Sequence, residues 1–197
     1  MKISVRRLFS PESGKGSYNY LNTQKKYELA KTVLFFGISL AIFFMGLWST
    51  KTTSNYLTIV AVLGCLPASK WAVTTFMYWR YKSLPDKEVE EIEAAVGNLG
   101  GMYDMVFTSY EVNYHIHHLV VCDNCICGYS TQKDFDEKKF YKHILGILRM
   151  DGFKDDFTIK VFTDKKKYTE RLKQLNLLDR TTKNEEAIKN VLKSVSL

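Results

Sequence analysis

Proline is scarce in this chain, at three residues in 197. No proline-rich linker, internal repeat or low-complexity tract interrupts it, which excludes a beads-on-a-string array and a repeat solenoid. Catalytic signatures are equally thin. Gly14-Lys15-Gly16-Ser17 lacks the full Gly-x-x-x-x-Gly-Lys-Ser spacing and the preceding buried strand of a phosphate loop, so it reads as flexible tail. No serine-centred nucleophile motif accompanies the histidines, and residues 125 to 133 hold no carboxylate. Acidic residues are also rare at the start: residues 1 to 82 carry 11 Lys and Arg against only Glu12 and Glu28, a balance of +9. Residues 83 to 197 carry 17 against 19, a balance of −2. The formal charge of +7 therefore belongs to the N-terminal part and gives no reason to expect nucleic-acid binding by the rest.

What the chain does have is an uncharged apolar run over residues 32 to 48 and a second apolar stretch from Tyr56 to Trp79. At 1.5 Å per residue the first extends about 26 Å, near the lower limit for crossing a hydrocarbon core of about 30 Å. It follows 31 more polar residues and leads into Trp48 rather than a small-residue cleavage site, so a transmembrane helix is expected and not a cleaved leader. The second stretch contains Pro67, which predicts a kink, and Lys70. Lys70 is expected to snorkel to the inner headgroups, with Trp71, Trp79 and Arg80 forming an aromatic and basic interfacial belt. The alternative for Lys70 is functional: it lines a polar cavity, binds an anionic lipid, or serves an oligomeric channel or transporter. Gly37, Ser39 and Gly46 on the first span, with Gly64 and Ala68 on the second, permit close packing between helices or between copies of the chain.

Lys2, Arg6, Arg7, Lys15, Lys25, Lys26 and Lys31 precede the first span, and Lys51 is the single basic residue between the spans. By the positive-inside rule both ends are cytoplasmic. The expected organisation is a basic cytosolic tail (1–31), helix one (32–48), a short external loop (49–55), helix two (56–79) and a cytosolic domain (83–197). A bacterial cytoplasmic membrane is the expected location.

The cytosolic part is long enough for one small core. Leu84-Pro85-Asp86 starts a helix with Val89, Ile92, Val96 and Leu99 as its apolar stripe, ending by Gly100-Gly101. Strands follow at residues 102 to 111, 114 to 122 and 125 to 130, with Asp123-Asn124 as a two-residue hairpin turn. A helix over residues 134 to 150 (core face Phe135, Phe140, Ile144, Leu145 and Leu148), a strand over 157 to 162, a helix over 165 to 175 and a short last helix complete it. The fold class is α+β: a two-helix transmembrane hairpin followed by a small domain of order α-β-β-β-α-β-α. That order resembles the core of restriction-endonuclease-like folds. The resemblance implies Mg²⁺ held by an acid on the second core strand and a Glu-x-Lys pair on the third. Here Asp123, in the turn, is the only acid nearby.

The remaining chemistry lies in His115, His117, His118, Cys122, Cys125 and Cys127. With the turn at 123–124, Cys122 faces Cys125, Val120 faces Cys127 and His118 faces Tyr129. His118, Cys122, Cys125 and Cys127 then share one side of the sheet, with the ligand types for zinc. The preferred reading is hairpin core without a cofactor; the alternatives are a zinc site and a redox-responsive Cys122 and Cys125 pair. Strict alternation sends His115 and His117 to the opposite face. Cys65 is expected to pack in the second span, and Lys165, Lys166 and Lys167 to be solvated. The functional expectation is a membrane-anchored interaction or regulatory module with a protein partner at the cytoplasmic face, docking on a patch around Tyr103, Tyr110 and Tyr114. The rival is a membrane-associated enzyme using the histidine and cysteines with a metal.

Overall fold

A computed structural model describes residues 14 to 178 and 184 to 197. Lys2, Arg6 and Arg7, used above to orient the chain, lie outside the described residues. The described residues are mixed α+β, with six helices and a four-stranded sheet. They divide into two compact units, one built from residues 21 to 82 and the other from residues 14 to 20 and 83 to 197.

The first unit is a helical hairpin of α1 (Tyr20–Thr50) and α2 (Tyr56–Trp79). Both helices are long and apolar enough to cross a membrane. The apolar run marks only part of α1, which begins twelve residues earlier, inside the segment expected to be tail. Buried Gln24, Glu28 and Lys31 recur there at helical spacing, so the hydrogen-bond ladder continues through a polar stretch that a hydropathy window passes over. Glu28 Oε1 accepts from Gln24 Nε2 and from Lys31 Nζ, each at 2.8 Å, and Lys31 Nζ lies 4.4 Å from the centre of the Trp71 ring. The Thr32 and Thr75 hydroxyls meet at 3.0 Å. Small residues permit this approach: a Cβ at Gly64 would lie 2.7 Å from Ser39 Oγ, and one at Gly46 would lie 2.8 Å from Leu57 Cβ. Gly37, expected at the same seam, has nothing within 4 Å of such a Cβ. Asn55 caps α2 by accepting from Thr58 N at 2.8 Å, and α2 continues through Pro67.

The second unit is a sheet of order β1 (Gly101–Thr108), β2 (Asn113–Cys122), β3 (Cys125–Tyr129) and β4 (Thr158–Phe162). The first three strands are antiparallel, and β4 joins β3 in parallel after α4 (Glu137–Met150). One face packs on α4 and α6 (Glu185–Val195) through Phe140, Ile144, Leu148, Ile188 and Leu192. The other packs on α3 (Asp86–Val96) and α5 (Lys165–Asn176) through Ile92, Val96, Tyr168 and Leu172. Asn176 Nδ2, at the end of α5, donates to Ala95 O and Val96 O at 3.0 and 2.7 Å, satisfying the last carbonyls of α3.

The free edge of β1 is covered from both directions along the chain. Gly16 bridges Tyr103, whose N–H donates to Gly16 O at 2.9 Å, and Ser196 bridges Phe107. Lys15 Nζ donates to Ser196 O at 2.7 Å. The segment expected to be a flexible tail is therefore part of the domain, because an open strand edge offers unpaired backbone groups that Gly16, at φ +82°, can approach.

Candidate functional site

The hairpin register expected from Asp123-Asn124 is the one observed: Cys122 pairs with Cys125, Val120 with Cys127 and His118 with Tyr129. Asp123 takes a positive φ of 49°, as such a turn needs. Alternation along β2, however, breaks once. Met102 and Met105 on β1, and Ile116 and Leu119 on β2, are each three residues apart yet pack in the same core cluster. The cause sits at Asp104, which adopts φ 54° within β1, where aspartate is among the few residues that tolerate the left-handed region. Ser83 Oγ donates to its buried carboxylate at 2.6 Å. The break, across which the register of β1 and β2 is unchanged, corrects the facing expected for His115 and His117. They lie on the same side as His118, with His117 6.3 Å from the Tyr129 ring and 4.0 Å from His115, centre to centre.

These imidazoles are packed rather than presented. His118 is fully buried, its Nδ1 is 2.6 Å from the Tyr168 hydroxyl, and its ring lies 4.5 Å from that of Tyr103. Its Nε2 faces Gly101 and, among the described residues, has no hydrogen-bond partner. Burial lowers its pKa to about 3. His117 Nδ1 accepts from Thr131 N at 3.4 Å, and burial lowers its pKa to about 4. Both are neutral at physiological pH, in surroundings that hold them neutral.

The cysteines separate by environment. Cys122 is buried in the core shared with α3 and α5. Cys125 is half-buried, and its Sγ lies 3.6 Å from that of buried Cys127. Together they open onto a cleft of about 510 Å³ between β3, β4 and α5, whose charged walls are Lys160, Lys167, Glu170 and Arg171. Arg171 lines the same cleft as both sulfurs and is braced by Gln174, whose Oε1 accepts from Nη1 at 3.1 Å. The Cys127 thiol, and after it the Arg171 guanidinium, hold the Cys125 pKa below that of an ordinary thiol, while the same sulfur contact and burial raise that of Cys127. Of the two, Cys125 is the thiol whose surroundings favour the thiolate.

The expected quartet His118, Cys122, Cys125 and Cys127 does share a face, but His118 is engaged with tyrosines while Cys125 and Cys127 face the cleft. Among the described residues no three ligand-type side chains form a group that would hold a metal. Arg171, Lys160 and Lys167 were not expected at this site. Their signal was the spacing of Lys167, Arg171 and Gln174 along one stripe of α5, which gains meaning only once α5 lies over β3. Lys165 pairs instead with Glu91, and Lys166 is exposed. The expected tyrosine patch does not form: Tyr114 is buried against Phe135 and Phe140, and Tyr103 is wedged between Tyr18 and His118. Inward alternation on paired strands accounts for both, and of the three only Tyr110 is fully exposed. No family model, curated protein or solved structure matches the chain.

Proposed function

We propose that this chain is an integral membrane protein whose two-helix hairpin anchors the α+β domain at the cytoplasmic surface, where the domain serves as an interaction or regulatory module. The observation that carries the reading is the exposure of the apolar helices. Only 11% of each spanning window is buried, which leaves Leu34, Phe44, Leu63, Leu66 and Phe76 each more than half exposed. In water so large an apolar surface would drive aggregation, whereas a hydrocarbon core accepts it and the helical backbone satisfies its own hydrogen bonds. A core helix of a soluble protein has the opposite burial.

Orientation is supported by charge: Lys25, Lys26 and Lys31 precede the apolar part of α1, Arg80 and Lys82 follow α2, and Lys51 alone lies between. Lys70 is exposed with its ammonium 5.6 Å from the Trp71 ring, which favours snorkelling along an aromatic belt over a role in transport. Histidines that are packed and neutral favour structural use over acid–base catalysis, and the domain's balance of −2 weighs against nucleic acid as partner.

The test is a C-terminal tag on the full chain, read by protease protection in intact spheroplasts and in inverted vesicles, with cross-linking and mass spectrometry on the same membranes. Tag cleavage in inverted vesicles alone, with a stoichiometric cross-linked partner, is the expected result. Release of the chain by alkaline carbonate would refute the anchor, cleavage in intact spheroplasts would refute the orientation, and a chain that cross-links to nothing would refute the interaction role.

A further inference from the structure

Among the described residues the domain has one cysteine that is partly accessible, set among cations and opening onto a cavity, and neither anchoring nor partner binding calls for it. Cys125 is half-buried, Cys127 is 1% exposed and Cys122 is 3% exposed, so within the domain only Cys125 can be reached by a reagent. Its cleft of about 510 Å³ has room for a small peptide-like molecule, and three cations (Lys160, Lys167 and Arg171) stand there against Glu170 alone. A cleft lined by one sign of charge concentrates small ions of the opposite sign. Thr158 and Gln174 add neutral polar walls, and Phe162 an apolar one.

We propose that Cys125 is a site of reversible S-thiolation by small disulfides that carry carboxylates, bound in the cleft by Arg171, Lys160 and Lys167. The Cys125 thiolate attacks one sulfur of the incoming disulfide in line with its S–S bond. A Cys125 mixed disulfide forms as that bond breaks, and the electron pair leaves on the second sulfur, which departs as a thiolate and takes a proton from water. Cys125 is oxidised to the disulfide level, and half of the reagent is reduced to thiol. Arg171 lines the same cleft as the attacking sulfur, where the carboxylates would sit.

The mixed disulfide is the end product and does not pass to an internal disulfide. Cys125 and Cys127 are two apart on one strand, which sets their Cα atoms about 6.6 Å apart, at the upper limit for a disulfide. Closing that bridge would bend β3 between two paired strands. Cys127 therefore acts through its neighbour as thiol donor, and an external thiol reverses the modification.

The experiment treats the purified full-length chain in mild detergent at pH 7 with oxidised glutathione, which is anionic, or with cystamine, which is cationic, and locates adducts by peptide mass spectrometry. Cys125 is expected to carry the adduct ahead of Cys65, and oxidised glutathione to react about tenfold faster than cystamine, a preference lost on adding salt. Arg171→Gln should reduce that preference by about tenfold. Lys160→Gln, at an exposed strand position that cannot disturb the core, should reduce it in the same direction, and a reducing thiol should restore free Cys125 in all variants. Equal rates for the two reagents, a preference unchanged in both variants, an adduct confined to Cys65, or a Cys125–Cys127 disulfide as the main product would each overturn the proposal.

Discussion

Replacing Gly101 by alanine probes the position where, among the described glycines, an added Cβ would meet its nearest neighbour. Gly101 begins β1 opposite Val120, and its φ lies outside the left-handed region, so alanine meets no backbone penalty there. The added Cβ would instead lie 2.2 Å from His118 Nε2 and 2.9 Å from Cε1. The imidazole cannot swing away: it is 0% exposed, held 2.6 Å from the Tyr168 hydroxyl, and its ring centre is 4.5 Å from that of Tyr103. Overpacking of this kind costs about 1–3 kcal/mol, and displacing His118 from a fully buried hydroxyl adds about 1–2 kcal/mol. A loss of about 3 kcal/mol corresponds to a fall in Tm of about 10 °C for a domain of this size. Thermal unfolding of the full chain in mild detergent, followed by circular dichroism at one scan rate, measures it. In a His118→Ala background the same methyl group enters vacated space, so the second cost should fall by about 2 kcal/mol or more. A shift below about 2 °C for Gly101→Ala, or an equal shift in both backgrounds, would refute the reasoning.

Three further outcomes follow from other sites. Burial holds the folded-state pKa of His117 at about 4 and of His118 at about 3, below the ordinary 6.5, so the unfolded chain binds more protons between those values. Stability is complete above pH 6.5 and is lost as pH falls toward 4, by up to about 1.4 kcal/mol per pH unit for each histidine; urea midpoints that do not move over this range would contradict it. Iodoacetamide labelling of Cys125 should reach half its maximal rate at a lower pH than an ordinary thiol, and Cys127→Ala should move that midpoint upward, since the Cys127 thiol is the largest stabiliser of the thiolate. In the hairpin, Glu28→Leu alone strands a Lys31 that is 7% exposed and should cost about 3–5 kcal/mol, whereas Glu28→Leu with Lys31→Met should be close to neutral. Detergent melting of the three chains decides it, and equal losses in single and double variants would show that the ion pair is not coupled.

Much of the domain was legible because each element has a local cause. The turn at Asp123-Asn124 set the register of β2 and β3 to the residue, and apolar spacing gave α4 its buried Phe140, Ile144 and Leu148. The failures share a different origin: each depends on contacts remote in sequence. The break at Asp104 is a backbone event inside a strand that reads as regular, and it turned His115 and His117 to the other face. Gly16 is 87 residues from Tyr103, so nothing local distinguishes a docked segment from a loose one. The polar first turns of α1 fell below any hydropathy window. At the candidate site, the two sulfurs were visible in the sequence. The guanidinium that shares their cleft arrives from α5, 44 residues beyond Cys127.

The strand edge at β1 has a topological consequence. Gly16 lies before both apolar helices and Tyr103 after them, yet their backbones are hydrogen-bonded. In chain order α1 and α2 are an excursion out of one folded domain and back into it. Any bilayer they cross must be crossed an even number of times, since a single crossing would put the two halves of one sheet edge in different compartments. The requirement holds independently of lysine and arginine counts: stripping the flanking charges can invert the whole chain, but it cannot leave one helix across the membrane while the domain stays intact.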